Sequence, residues 1–153
     1  MLNIGVPKES ADHESRVAMT PTIAKQLINK GFKVMLESDA GLLSNFSNKD
    51  YEDVGVTIEK KENIYKAEVI AKINPPSKDE VKLMSKDATL ISLLFAQTNT
   101  EIINLLAKQK ISAFSLDAIP RTSLAQSMDV LSSQANLAGY KAVILGGAEM
   151  GKI

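Results

Sequence analysis

Polar side chains that could hold a ligand gather late in the chain, between residues 120 and 136. Arg121, Gln126 and Asp129 stand here among several serines, directly after an apolar stretch. A cation, an amide and a carboxylate in one segment can direct hydrogen bonds to a polar ligand. The same residues also fit a helix N-terminus that Asp129 and the serines only cap, and Arg121 could pair with Asp129. The residue types alone leave these interpretations open.

A second polar segment, residues 7–18, follows the first predicted strand. Lys8 and Arg16 could bind a carboxylate or a phosphate there, because open α/β sheets bind ligands at the carboxyl ends of their strands. The segment also contains three acidic residues, Glu9, Asp12 and Glu14. Since these carboxylates can neutralise both cations, the residues alone favour a solvated loop without a ligand.

The composition argues against several classes of function. The chain has 153 residues, 44% of them hydrophobic, which is typical of one globular domain. Its 18 basic and 18 acidic residues cancel, so we expect no binding to nucleic acid. It has no cysteine and one histidine, His13, so no metal site built on these residues is expected. His13 is interpreted as an exposed turn residue.

Short β-rich segments alternate with helical ones along the chain. Strands are predicted at residues 2–6, 33–37, 56–58, 69–73, 88–94 and 111–115. The clearest helix begins after Thr20, with Pro21 at its first position and Gly31 just beyond its end. Further helices are predicted from a Ser77 cap to residue 84, at 101–108 and at 132–149. This alternation is typical of an α/β domain with a parallel sheet of about six strands, in an order that the sequence does not fix.

The end of the chain predicts a longer protein. Gly146 and Gly147 weaken the last turns of the final helix, and no strand or polar tail follows. We therefore expect a chain cut inside or just after a connecting helix. Residues 146–151 superficially resemble a phosphate-binding loop, but such a loop follows a strand. The sequence shows no secretory signal and no apolar run of about 20 residues, so a cytoplasmic location is expected.

Two groups of motifs resemble a known family. Residues 4–9 (IGVPKE), with Glu14, Arg16 to Ala18 and Thr20-Pro21, resemble the opening of the alanine dehydrogenase and nicotinamide nucleotide transhydrogenase superfamily. Residues 115–121 (SLDAIPR), 125–129 (AQSMD) and 131–140 (LSSQANLAGY) are similar to the NAD(H)-binding alpha subunit of proton-translocating NAD(P) transhydrogenase. The resemblance covers essentially the whole chain.

The resemblance implies a fold and a domain organisation. The expected fold is a Rossmann-like, mostly parallel α/β sheet flanked by helices, the first of two subdomains of an NAD-binding component. Residues 1–130 would form this subdomain, and residues 131–153 would begin the helix that links it to a missing glycine-rich subdomain. In the family the nucleotide lies in the cleft between the two subdomains.

The resemblance also implies roles for particular residues. In the family, a loop with arginine, glutamine and aspartate reaches the nicotinamide end of NADH, and by motif the three catalytic and cofactor-binding residues are Arg121, Gln126 and Asp129. Gln126 is expected to hydrogen-bond near the nicotinamide ribose, while Arg121 and Asp129 shape the loop. Three more residues are expected to line the same wall: Ser127, Met128 and Ser132. Hydride transfer between nicotinamides releases no substrate proton, so such a site needs orientation rather than a general acid or base.

The family further implies partners and a location. Hydride passes from NADH to NADP(H) on a separate NADP-binding component, coupled to protons crossing a membrane-embedded component. A homodimer is expected in the intact enzyme, at the cytoplasmic face of a bacterial inner membrane or on the matrix side in a mitochondrion. This chain alone is expected to be inactive and to bind NADH weakly at best, because the groups that grip the pyrophosphate are absent.

Two other functions remain as alternatives. The alanine dehydrogenase branch uses a lysine before its strand-ending proline and a histidine after its next strand. The matching positions here are Asn74 and Gln97, which argues against that branch. Arg16, which holds a substrate carboxylate in that branch, is therefore expected to have a structural role. The other alternative is a non-catalytic module that binds partner subunits.

Overall fold

The computed structural model describes residues 1–151. The chain divides into two compact units, Met1–Ser115 and Leu116–Ile153. Lys152 and Ile153, the last residues of the expected linking segment 131–153, lie outside the described residues. The first unit carries the sheet and the second carries the candidate ligand-binding segment, so each is described by itself.

Strands and helices alternate through the first unit, as the sequence predicts. The strands are β1 Asn3–Val6, β2 Lys33–Glu37, β3 Thr57–Glu59, β4 Val69–Ala71, β5 Thr89–Ser92 and β6 Ser112–Ser115. The helices of this unit are α1 Pro21–Asn29, α2 Asn48–Glu52, α3 Lys61–Ile64, α4 Lys78–Leu83 and α5 Thr100–Lys108. The second unit contains one longer helix, α6 Val130–Glu149.

The described strands form one sheet in the order β3-β2-β1-β4-β5-β6, and every pair is parallel. Ile4 of β1 is in register with Val34 of β2 on one side and with Val69 of β4 on the other. The predicted Rossmann-like parallel α/β fold is confirmed. Because the chain leaves β1 toward β2 and leaves β4 toward β5, the strand order reverses between β1 and β4. Open sheets of this kind bind ligands at such a switch point.

Local sequence signals explain the clearest helices. The Thr20 hydroxyl oxygen accepts a hydrogen bond from the Ile23 N–H, and Pro21 occupies the first turn of α1. Gly31 follows Lys30, the residue that caps the end of α1, and has a φ of +91°, a conformation that glycine adopts without strain. Helix α4 begins with a reciprocal capping box, in which Ser77 and Glu80 each accept a hydrogen bond from the backbone N–H of the other.

The hydrophobic core has a part on each side of the switch point. One cluster includes residues of β1, β2, α1 and α2: Ile4, Val6, Ala24, Val34, Leu36 and Tyr51. A second cluster includes residues of β4, β5, α4 and α5: Ile70, Val81, Leu90 and Leu106. The buried Tyr51 hydroxyl donates to the carbonyl oxygen of Met19 at 2.8 Å, and burial raises the pKa of Tyr51 to about 12.

Several elements differ from the sequence predictions, most of them by one or two residues at an end. Helix α3 was not expected, because its four residues carry no apolar repeat and the side chain of Lys60 does not cap it. Strands β4 and β5 are shorter than predicted, although Lys72 and Leu93 extend the pairing through hydrogen bonds to Ile91 and Ile73. Helix α6 begins at Val130 rather than at residue 132, because Asp129 caps it.

Helix α6 has no separate apolar face, because apolar and polar residues are distributed around all its sides. Its 20 residues are all described, and none of them is buried. Large apolar side chains of this helix are exposed, namely Leu137, Tyr140, Val143, Ile144 and Leu145. Within residues 1–151, no helix combines the length and the apolar character that crossing a bilayer requires.

Candidate functional site

The segment predicted to bind a ligand folds as a succession of tight turns. The Thr122 N–H donates to the Pro120 carbonyl oxygen at 2.9 Å, and the Ala125 N–H donates to the Thr122 carbonyl oxygen at 3.1 Å. A 3₁₀ turn, Gln126–Met128, follows, and the Met128 N–H donates to the Ala125 carbonyl oxygen at 2.9 Å. These local hydrogen bonds fix the backbone of the loop. The side chains of the loop therefore project from defined backbone positions.

Asp129 ends this loop and caps helix α6. Its carboxylate accepts hydrogen bonds from the Ser132 N–H at 2.9 Å and from the Ser132 hydroxyl at 2.6 Å. These bonds, with a smaller contribution from the charge of Arg121, lower the pKa of Asp129 below its usual range. The structure therefore confirms that Asp129 caps helix α6, which is one of the interpretations that the sequence left open. The cap holds Asp129 and Ser132 together at the rim of the loop.

Four of the six predicted residues line one open pocket of about 300 Å³. The lining residues are Pro120, Arg121, Thr122, Ser123, Gln126, Asp129 and Ser132. Among the described residues, Ser127 and Met128 are not part of this lining, and the Met128 side chain is exposed. The volume lies at the small end of the range for ligand pockets, which suits one part of a larger ligand.

The donor set of this pocket can orient a polar ligand but offers little proton chemistry. Arg121 supplies a permanent cation, Gln126 supplies both a donor and an acceptor, and Ser132 supplies a hydroxyl. Asp129 has a lowered pKa and stays ionised near neutral pH. A carboxamide or a sugar hydroxyl is the kind of group that such a lining recognises.

The other polar segment, residues 7–18, neutralises its own arginine. Arg16 donates to the Glu14 carboxylate from Nε at 2.8 Å and from Nη2 at 2.7 Å, and its backbone N–H donates to the same carboxylate at 3.0 Å. These bonds lower the pKa of Glu14 to about 2. The expectation that acidic neighbours neutralise Arg16 is confirmed for Glu14. His13 lies exposed in a turn with a φ of 61°, as predicted.

Glu9 has a different role from the one its position in the sequence suggested. Its carboxylate accepts the Ile73 N–H at 2.6 Å and the Asn74 N–H at 3.2 Å. The side-chain amide of Asn74 donates to Glu9 at 3.2 Å and to Glu14 at 2.9 Å. Sequence reasoning missed this junction because about 60 residues separate its halves, and no local pattern marks it.

The strand order, the reversal between β1 and β4, and the polar groups after those strands define a Rossmann-like α/β domain. Residues 5–138 match the family described as "Alanine dehydrogenase/PNT, N-terminal domain". This chain therefore belongs to the alanine dehydrogenase/PNT N-terminal domain family, and the resemblance given by its motifs is confirmed.

Its relatives include subunits of NAD(P) transhydrogenase. The chain is 39% identical over 148 residues to NAD(P) transhydrogenase subunit alpha of Haemophilus influenzae, covering 97% of this chain and 29% of the relative. It is 36% identical over 153 residues to NAD(P) transhydrogenase subunit alpha of Cereibacter sphaeroides, covering 99% of this chain and 29% of that relative. The crystal structure of transhydrogenase from Sinorhizobium meliloti superposes with a TM-score of 0.90 at 39% identity, covering 93% of this chain and 43% of that one. The chain thus spans less than half the length of these relatives.

Proposed function

We propose that this chain is the N-terminal portion of an NAD(P) transhydrogenase alpha subunit and supplies the nicotinamide-side wall of its NAD(H) site. The observation that carries this proposal is the pocket that unites Arg121, Gln126, Asp129 and Ser132. These residues belong to the motif that resembles the transhydrogenase branch. Membership of the family and 39% identity to a named alpha subunit support the same assignment.

The lining residues fit the nicotinamide end of the cofactor. The pocket of about 300 Å³ is too small for a whole dinucleotide, but its amide, hydroxyl and guanidinium groups suit a carboxamide and a ribose. NAD(H), when bound, supplies the hydride. Gln126 hydrogen-bonds the ribose region, and Arg121 and Asp129 hold the loop in shape. Ser127 and Met128, on the adjoining turn, complete the wall.

The chemistry assigned to these residues is orientation. Hydride transfer from one nicotinamide to another needs two rings at close approach and releases no proton from the substrate. The capped loop provides fixed side chains for that purpose, because the bonds of Asp129 to Ser132 anchor its end to helix α6. No residue of the wall has to gain or lose a proton in this step.

The remaining aspects of the proposal concern the intact enzyme. NADP(H) is held on a separate NADP-binding component, and a membrane-embedded component conducts the protons. Residues 1–130 form the first subdomain, and residues 131–153 begin the link to a glycine-rich subdomain that binds the rest of NAD(H). The enzyme is a re/si-specific transhydrogenase and a homodimer of this component, peripheral to the cytoplasmic face of a bacterial inner membrane or the mitochondrial matrix face. The 153-residue chain alone is inactive.

The decisive experiment replaces Gln126 by alanine in the complete alpha subunit, assembled with its partner components. We expect hydride transfer from NADH to an NADP analogue to fall at least about tenfold, equivalent to about 1.4 kcal/mol of transition-state stabilisation. The matched control is Gln26→Ala, because Gln26 is exposed on α1 and outside the pocket. An unchanged rate in the Gln126 variant would reject the assigned role and favour a non-catalytic subunit-binding module.

An alanine dehydrogenase activity is the second candidate, since the family name includes that enzyme and Arg16 is retained. Two residues argue against it, because Asn74 and Gln97 occupy the positions at which that branch carries its lysine and its histidine. The test is NADH oxidation by the full-length protein with pyruvate and ammonium. Turnover with these substrates, without NADP, would establish this candidate instead.

A further inference from the structure

Phe95, three residues beyond the end of β5, has a backbone conformation that its side chain disfavours. Strand β5 ends at Ser92, and the φ of Phe95 is 46°. Left-handed backbone of this kind is uncommon for residues with a Cβ and is an outlier for a bulky one. The other non-glycine residues between 1 and 151 with a positive φ are all polar, namely His13, Asp39, Asn45, Asp87 and Lys110. Phe95 is therefore the exception that calls for an explanation.

Hydrogen bonds from the following turn hold Phe95 in this conformation. Its carbonyl oxygen accepts the Thr98 N–H at 2.9 Å, the Thr98 hydroxyl at 3.0 Å and the Asn99 N–H at 3.1 Å. The side-chain amide of Asn99 also donates to the Leu94 carbonyl oxygen at 2.8 Å. These bonds fix the turn whatever side chain stands at position 95, and glycine would adopt the same backbone without strain. The backbone thus gives no reason for an aromatic side chain here.

Phe95 lies at the edge of the sheet where open parallel sheets bind their ligands. Every pair of described strands is parallel, so β5 and its neighbours β4 and β6 all end at this edge. The Phe95 side chain is 44% exposed, whereas the preceding Leu94 is 2% exposed. Strained residues that their surroundings hold in place cluster at ligand sites. An exposed aromatic ring at this edge offers a flat apolar surface to a ligand.

We propose that Phe95 is a cofactor-contact residue, whose ring packs against the nicotinamide ring of NAD(H). This inference rests on the function proposed above, in which the chain supplies the nicotinamide side of the site. Nicotinamide is a flat aromatic ring, and such rings pack on phenylalanine in offset or edge-to-face arrangements. Hydride leaves one face of the nicotinamide, so the opposite face is available to the protein. The residues that carry this argument all lie in the first unit.

The proposal separates the effect of the Phe95 ring on binding from its effect on stability. Phe95→Gly removes the ring and relieves the backbone at the same time. The urea midpoint of this variant should therefore stay the same or rise, while its affinity for NADH falls. A side chain that served only to pack the fold would show the opposite pattern, because its loss lowers stability and leaves binding unchanged.

The test measures the binding of NADH and of ADP-ribose to the complete alpha subunit by calorimetry. ADP-ribose lacks the nicotinamide ring, so it reports on the rest of the site. Phe95→Gly is expected to weaken NADH at least about fivefold and to leave ADP-ribose within about twofold. Phe95→Tyr keeps an aromatic ring and should bind NADH as the unsubstituted subunit does. Lys110→Gly is the matched control, because Lys110 has a φ of 59° but precedes β6 at the opposite edge of the sheet, and neither affinity should change.

Two results would overturn the proposal. One is an unchanged NADH affinity in Phe95→Gly, and the other is an equal weakening of NADH and ADP-ribose. If circular dichroism shows that Phe95→Gly does not fold, Phe95→Leu decides by the same two criteria, because it keeps an apolar side chain but lacks the aromatic ring. A loss of hydride transfer in the Gln126 variant together with unchanged binding in Phe95→Gly rejects this inference alone. A complete subunit that binds no NADH rejects both proposals.

Discussion

The Lys72 ammonium nitrogen lies 3.0 Å from the Glu80 carboxylate, and both side chains are almost fully buried, at 1% and 2% exposure. Glu80 also accepts the Ser77 N–H at 2.8 Å. The pair thus connects the end of β4 to the first turn of α4. Burial alone would raise the pKa of Glu80, but the charge of Lys72 and the bond from Ser77 outweigh it and lower that pKa to about 2.

Removing one partner of this pair should destabilise the protein strongly. We expect Lys72→Met to lower the free energy of unfolding by about 3–5 kcal/mol, because it leaves the Glu80 carboxylate buried beside fewer compensating groups. The double variant Lys72→Met with Glu80→Leu should recover part of that loss, since no buried charge of the pair remains. Urea unfolding followed by circular dichroism measures both.

An exposed ion pair provides the control for that comparison. Lys82 and Asp79 lie 2.8 Å apart on α4, but their side chains are 71% and 89% exposed. Solvent screens such a pair, so Lys82→Met should leave the urea midpoint nearly unchanged. Equal losses in the Lys72 and Lys82 variants would contradict the importance assigned to burial.

Stability should fall in acid over a defined range of pH. Glu14 and Glu80 each have a pKa of about 2 in the folded chain, below the ordinary value of 4.5. A carboxyl group with a lowered folded pKa stabilises the fold fully above its unfolded pKa, and this contribution disappears as the pH falls through the folded pKa. We therefore expect the urea midpoint to decline between about pH 4.5 and pH 2. A midpoint that stays constant over this range would show that neither carboxylate has the assigned environment.

A methyl group at position 5 should be poorly tolerated. A Cβ on Gly5 in β1 would press into the carbonyl oxygen of Ile64 and meet the Ala67 Cβ at 3.0 Å. Because the obstacle is backbone, we expect Gly5→Ala to cost about 1–3 kcal/mol of stability. Gly139→Ala is the control, because nothing lies within 4 Å of a Cβ there, and alanine should stabilise α6 by up to about 1 kcal/mol. Similar melting temperatures for the two variants would contradict this contrast.

Variants of Asp129 should separate its capping from its charge. Asp129→Asn keeps a side-chain oxygen that can accept the Ser132 N–H, whereas Asp129→Ala removes that acceptor. Hydrogen exchange at residues 130–134 should therefore accelerate in the alanine variant and stay near its original rate in the asparagine variant. If NADH binding by the complete subunit weakens in both variants, the charge contributes beyond the cap. If it weakens in the alanine variant alone, the cap accounts for the effect.

Much of the first unit was predictable because its signals are local. Thr20, Pro21 and Gly31 mark α1 within a dozen residues, and Ser77 marks α4 in the same way. The strand order was not predictable, because pairing β1 with β4 joins segments that are far apart in sequence. Residue propensities and hydrophobic periodicity depend only on residues that are close in sequence. They therefore carry no information on which strands pair in the sheet.

The two polar sites differ in the same respect: one could be predicted from a local sequence motif, and the other could not. The pocket of Arg121, Gln126 and Asp129 is built from residues within one short segment, so a motif could indicate it. The junction of Glu9, Glu14 and Asn74 depends on the register of β1 against β4, which only the fold supplies. The sequence indicated that Arg16 would be neutralised, but it did not indicate that Asn74 holds the neutralising carboxylate.

The order of strands also bears on how the chain can fold while it is being synthesised. Strands β1 to β3 form one half of the sheet and β4 to β6 the other, and each half is continuous in sequence. The first half can pair once residue 59 has left the ribosome, and each later strand then adds to an open edge, β4 on β1, β5 on β4 and β6 on β5. No described strand has to enter between two that are already paired. The addition of β4 to β1 joins the halves, and the same event brings Asn74 within hydrogen-bond distance of Glu9.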